Sequence, residues 1–386
     1  MNSSGHGAEY RSGVLSSFGA TAPQIEELLL YNKNVFVQPE GPGLLALPLP
    51  DEPFAAAWEG YAAEAGGKGA WQVLRNRLVQ FSFPIRQGIS RSDSYRTATL
   101  RLGTAEGMPG ATGLVLEKPD RLELSMHRTP AGRIPIILTG SREDFVALVR
   151  ALTAKNEPAR VPESMGAVMV TGYNNWDRIF SYKNRWRPAG PEESWSEEFK
   201  RIIPQRELYQ DRFIILSDGP YSAAPARDMG LAEEEWREAS LVIRREHECA
   251  HYVTGRLFSS MRANVTDELL ADYMGIAAAA GHFKASWFLR FVGLENFPHY
   301  REGGRLQNYR GDPPLSDGAF RILQALVKRA AENLEMFDRE NRANRTLVLA
   351  ALSRLTLEAL ASPQAPSFLR QALNSVGRRY VVNGTP

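Results

Sequence analysis

The sequence predicts an α+β chain in two parts, a mixed α/β domain over residues 21–155 and a mainly helical domain over 163–386, behind a flexible arm at 1–20. Three observations predict it. Short apolar runs with partial alternation cluster between 113 and 139, apolar residues at helical spacing dominate nearly everything after 231, and a segment with two prolines, 156–162, separates the two regimes. A length of 386 residues, at about 150 per domain, is enough for two cores.

The elements follow in order. Residues 1–20 are rich in Gly and Ser and read as a loose arm. Segments 22–31 and 54–65 read as helices, kept apart by a Pro- and Gly-rich stretch at 38–53, and 71–81 carries apolar residues at roughly helical spacing. Runs at 113–117, 121–127 and 133–139 read as strands of a meander, split by Lys118-Pro119-Asp120 and Thr129-Pro130-Ala131-Gly132. Ser141 caps a helix over 141–153, with Glu143 and Asp144 placed where the dipole favours negative charge. Beyond the linker come strands at 167–171 and 212–216, then helices at 231–256, 265–280, 283–291, 317–336, 345–361 and 367–376.

Composition narrows the function. Hydrophobic residues at 43% and charged residues at 23% describe a globular chain, not a disordered one. Lys plus Arg at 46 against Asp plus Glu at 44 is too even a balance for a phosphate-binding face, so nucleic acid is not an expected partner. The single cysteine, Cys249, excludes an intramolecular disulfide and any CxxC site, which leaves His and carboxylates to hold a metal. The opening MNSSGHGAEYRSG lacks the charged start and apolar run of a secretory signal, and no window approaches the roughly 18–20 apolar residues of a membrane span. A cytoplasmic protein is the expectation.

The chemistry concentrates at His247-Glu248-Cys249-Ala250-His251, an HExxH pattern inside the helix at 231–256. Residues i and i+4 lie one turn apart on one helix face, so both imidazoles can share a tetrahedral Zn2+. Glu248 sits about 100° around the helix from His247. From there its carboxylate reaches a metal-activated water rather than the metal, the place of a general base. The next helix opens Asn264-Val-Thr-Asp267-Glu268-Leu-Leu-Ala-Asp272. If it returns antiparallel, Glu268 becomes the third ligand and Asp272, one turn on, accepts the free ring N–H of His247. Asp267 is the other acidic choice, but it points about 100° away from the Glu268 and Asp272 face. Cys249, rotated about 200° from each histidine, faces away from the metal.

HExxH followed on the next helix by Glu268-Leu-Leu-Ala271-Asp272 resembles the gluzincin metallopeptidases, a group that includes thermolysin-like enzymes and prenyl-protein endopeptidases. The resemblance covers residues 244–280. It implies a zincin-like catalytic domain, a peptide or protein substrate, His247, His251 and Glu268 as zinc ligands, Glu248 as base and Asp272 as an orienting residue. The spacing to Glu268 is a few residues shorter than in thermolysin-like enzymes, and no GxMxN motif is present. A metzincin would need a third histidine at 257, where this chain has Leu. Thermolysin-type enzymes also stabilise the oxyanion with a downstream His or Tyr, which makes His282, His299, Tyr300 and Tyr309 the candidates.

The strand at 212–216 reads equally well as an edge that pairs with an extended peptide or as a core strand. Two other functions stay open: an iron enzyme using the same two-His, one-carboxylate set for oxidative modification, and a non-catalytic metal-binding regulator. An intact Glu248 argues against the regulator.

Overall fold

The computed structural model describes residues 7–39, 44–190, 193–260, 264–341 and 343–382. It is α+β, and the chain divides into one compact unit made of Met1–Leu49 with Pro220–Pro386 and a second made of Pro50–Gly219. The division differs from the expected one near residue 160, because strands from both sides of the 156–162 segment share one sheet.

The first unit begins with helix α1 (Ala8–Ser17), helix α2 (Ala22–Tyr31) and strand β1 (Leu45–Leu47). Half of the expected arm is therefore α1, while residues 1–6 lie outside the described residues. Its Gly- and Ser-rich composition misleads because tertiary contacts anchor it: Val14 and Leu15 are buried, and Arg11 donates from Nε and Nη2 to the buried Glu358 carboxylate, at 3.1 Å in each case.

The second unit is built on helices α3 (Ala55–Lys68) and α4 (Ala70–Arg77), a short α5 (Asp93–Thr97), strands β2 (Glu123–Thr129) and β3 (Gly132–Thr139), α6 (Arg142–Thr153), β4 (Ala167–Asn174), α7 (Trp176–Arg185), α8 (Trp195–Ile202) and β5 (Gln210–Ser217). The sheet order is β2-β3-β5-β4, with β3 and β5 parallel from Ile136 opposite Ile214 to Thr139 opposite Ser217. Trp58, Phe145, Ile137, Phe213 and Ile215 share its core, which ties residues on both sides of the segment at 156–162 to one fold. β5 is thus an interior strand, and the edge-strand option for 212–216 falls.

Two further expectations shift here. The run at 113–117 is irregular, because its backbone donors are taken elsewhere: Gly113 and Leu114 donate to the carbonyls of Ser82 and Phe81, and Glu117 and Lys118 to the Asp144 carboxylate. The helix expected to 81 ends at Arg77 and gives way to a tighter turn at Val79–Ser82.

The first unit resumes with the short α9 (Ala226–Met229), then α10 (Glu233–Phe258), α11 (Val265–Ala280), α12 (Ala285–Val292), α13 (Asp317–Glu340), α14 (Arg345–Leu352), α15 (Leu357–Ala361), α16 (Ala365–Gly377) and β6 (Tyr380–Val382), which pairs in parallel with β1. The helix expected over 345–361 is two, since Thr356 caps a new start by accepting from Ala359 N. Long apolar faces drive this unit: Leu323, Leu326, Val327, Ala330 and Leu334 of α13 are fully buried at the recurring three-and-four spacing.

Candidate metal centre

The site lies wholly in the first unit, between α10 and α11. α10 runs for 26 residues and opens with Glu233, Glu234 and Glu235 in its first turn, as the helix dipole favours. α11 is started by Asn264, whose side chain accepts from Asp267 N at 2.9 Å. The two helices pack closely because of one residue. A Cβ at Gly275 would meet the Ile243 carbonyl oxygen at 2.5 Å, so only glycine admits this approach. Ile243 lies one turn before His247, and Gly275 two turns after Glu268, so the contact sets the antiparallel register that brings Glu268 to the histidines.

Nε2 of His247 and Nε2 of His251 are 3.2 Å apart, and each lies 3.6 Å from an oxygen of the Glu268 carboxylate. Bonds of about 2.0–2.1 Å to a tetrahedral ion place ligand atoms about 3.3–3.4 Å from one another. The three side chains therefore form a group that could hold a metal ion, with their ligand atoms within 4.8 Å of one another. His247 and Glu268 are buried, and His251 is largely so.

Each imidazole is backed by a carboxylate on its other nitrogen. Nδ1 of His247 is 2.9 Å from Asp272 Oδ1, as expected from the sequence. Nδ1 of His251 is 3.2 Å from Asp267 Oδ2, a partner that helical rotation alone did not reveal. The reason is that the contact depends on how α11 packs on α10, which rotation about one helix axis does not encode. Burial opposes the imidazolium of His251, yet the hydrogen bond it donates to Asp267 and the nearby charges of Asp267, Glu268 and Glu248 push its pKa up to about 10. Negative charge exceeds positive here, which suits a cation. Burial also opposes the ionised form of Asp272, but Arg305, His247 and Tyr221 outweigh it and hold its pKa down at about 2.

Sequence reasoning missed two residues that meet Asp272. Tyr221 donates to Oδ1 at 2.6 Å, and Arg305 donates to Oδ2 and, at 2.8 Å, to the Tyr221 hydroxyl. Neither carries a motif, and they lie 51 and 33 residues from Asp272. Glu248 is half-buried, and its carboxylate has no hydrogen bond or ion pair among the described residues. Cys249 is buried, and burial pushes its thiol pKa well up, so it supplies no thiolate.

Of the four oxyanion candidates, only Tyr309 comes to the group. It lies against Glu268, and burial, with that carboxylate adding to it, raises its hydroxyl pKa. His282 follows Gly281, which caps the far end of α11, about 20 Å along the helix from Glu268. Chain separation misled there, because a straight helix carries His282 away. His299 is exposed in a turn bridged to Asn296, and the Tyr300 hydroxyl is committed to the Gly304 carbonyl and Gln307 N.

Residues 13–364 match a family of unknown function (DUF7005), and the chain belongs to it. No curated protein and no solved structure matches. Among the described residues no helix is long and apolar enough to cross a membrane.

Proposed function

We propose that this chain is a zinc-dependent hydrolase of the gluzincin type, a metallopeptidase that cleaves a peptide or amide bond of a peptide or protein substrate. The observation that carries the proposal is the pairing of a metal-capable group with an unpaired carboxylate one residue along the same helix. His247, His251 and Glu268 would hold the ion. Nitrogen and oxygen donors at near-tetrahedral separations suit zinc, which when bound supplies a Lewis acid and an activated water.

The chain's own residues do the rest. Glu248 accepts the proton as the water oxygen bonds to the carbonyl carbon, then passes that proton to the amine nitrogen as the C–N bond breaks. Among the described residues that carboxylate has no hydrogen bond or ion pair, and its charge acts on His251. Tyr309, the one of the four candidates beside the group, would turn its hydroxyl from Glu268 to the developing oxyanion. Asp267 and Asp272 keep the two rings oriented. We place the protein in the cytoplasm, in keeping with its single buried cysteine.

The test has two arms. Protein purified without added metal should contain one equivalent of zinc by mass spectrometry. Iron in its place would favour the oxidative alternative, which uses the same donor set. Against a peptide library, Glu248→Gln should keep the zinc and lose about 10²- to 10⁴-fold in turnover. Full activity in the zinc-loaded variant would end the hydrolytic reading.

A further inference from the structure

Tyr221 and Arg305, neither of them in the metal-capable group, close a hydrogen-bond circuit around Asp272. Arg305 donates from Nη1 to the Tyr221 oxygen at 2.8 Å and from Nη2 to Asp272 Oδ2. Tyr221 in turn donates to Asp272 Oδ1 at 2.6 Å. The Tyr221 oxygen already accepts from Arg305, and its single proton is spent on Asp272. His247 Nδ1 is 3.0 Å from that tyrosine oxygen and 2.9 Å from Asp272 Oδ1. Among the described residues, both hydrogen-bonding neighbours of Nδ1 are thus acceptors toward it. The ring must carry its proton on Nδ1, which leaves the Nε2 lone pair facing His251 and Glu268.

The surroundings show that this arrangement is kept against local cost. Ser222 and Ala223, directly after Tyr221, have φ of +52° and +55°, a left-handed conformation that non-glycine residues rarely take. Among the described residues Arg305 Nε is buried without a hydrogen-bond partner, while both terminal nitrogens serve the circuit. The Tyr221 ring is wedged between the Phe291 ring, centroids 4.9 Å apart, and the guanidinium of Arg305, 5.3 Å from its centroid. Strain and an unpaired donor gather at one point beside the metal group.

We propose that Tyr221 and Arg305 are positioning residues that lock His247 as its Nδ1–H tautomer through Asp272, so that Nε2 is ready to ligate. This rests on the metallopeptidase reading for its purpose, while the circuit itself is a property of the metal-free chain. A staple that only fastens the loop carrying Arg305 would not control the tautomer. Tyr221→Phe keeps the buried ring and removes the hydroxyl, and Arg305→Lys keeps a cation that cannot reach both acceptors at once.

The experiment is long-range 1H–15N correlation of the imidazoles in the metal-free full chain, labelled at histidine and held where His247 is neutral, with titration of zinc against a chromophoric chelator alongside. The parent should show His247 as the Nδ1–H form. Tyr221→Phe should shift it to a mixture of tautomers and weaken zinc binding about tenfold or more. Arg305→Lys should do the same to a smaller degree. A parent already mixed, or variants that keep both the tautomer and the parent zinc affinity, would overturn the proposal. If the parent binds no zinc, the metallopeptidase reading falls, and the tautomer readout still decides the circuit.

Discussion

Two buried aspartates, one in each unit, look alike and end differently. Asp211 on β5 is fully buried and accepts from Trp58 Nε1 at 2.7 Å, Asn175 Nδ2 at 2.6 Å and Arg178 Nη1 at 2.5 Å. Asp272 on α11 is as deeply buried and likewise takes an aromatic donor, Tyr221, and an arginine, Arg305. The circuit around Asp211 closes on the chain, since Arg178 also donates to the carbonyls of Gln210 and Glu207. The circuit around Asp272 passes on to His247, whose far nitrogen joins a metal-capable group. Burial raises the pKa of Asp211 even against Arg178, whereas Asp272 is held low by Arg305 and His247. A buried charge pair is therefore no sign of a site. What matters is where its hydrogen bonds terminate.

This contrast can be broken at several points. The largest effect is expected at the ligands: His247→Ala or Glu268→Ala should lose essentially all bound metal by mass spectrometry. Glu268→Ala retaining a full equivalent would remove the metal group from the comparison altogether. Next, Asp211→Ala leaves Arg178 buried and uncompensated, so denaturant unfolding should show a loss of about 3–5 kcal/mol while the metal content of the folded fraction stays at the parent level. A metal loss there would mean that the two circuits do not differ in kind.

Asp272→Ala and Asp267→Ala sharpen the other side. Each should weaken metal affinity by about 10- to 100-fold in a chelator competition, Asp267 through His251 and Asp272 through His247. The smallest effect is expected at the helix contact: Gly275→Ala forces a Cβ against the Ile243 carbonyl and should cost about 1–3 kcal/mol, measured by thermal unfolding. Unchanged stability in that variant would show that the register of α10 on α11 has other supports.

The metal group was largely legible because its information is local. His247 and His251 are four residues apart on one helix, Glu268 and Asp272 four apart on the next, and helical periodicity turns such spacings into faces. The β2–β3 hairpin was legible for the same reason, since both strands and the turn chemistry of Thr129 to Gly132 lie within one short stretch. Where the readings failed, the deciding contact was remote. α1 is fastened by Glu358, more than three hundred residues away, and the choice left open for 212–216 between edge and core strand was made by pairing with β3 and β4 on either side.

By itself, the sequence determined the helical character of the second half, the two helices that carry the metal-capable group and the residue types each presents, because a helix converts spacing into direction without reference to anything outside it. Only the tertiary structure decided that Asp267 backs His251, that Tyr309 rather than His282 reaches Glu268, that Tyr221 and Arg305 enclose Asp272, and that the units divide at Leu49 and Gly219. Those outcomes depend on packing between segments far apart in the chain, and no local periodicity encodes the distance across a helix junction or the partner a strand selects.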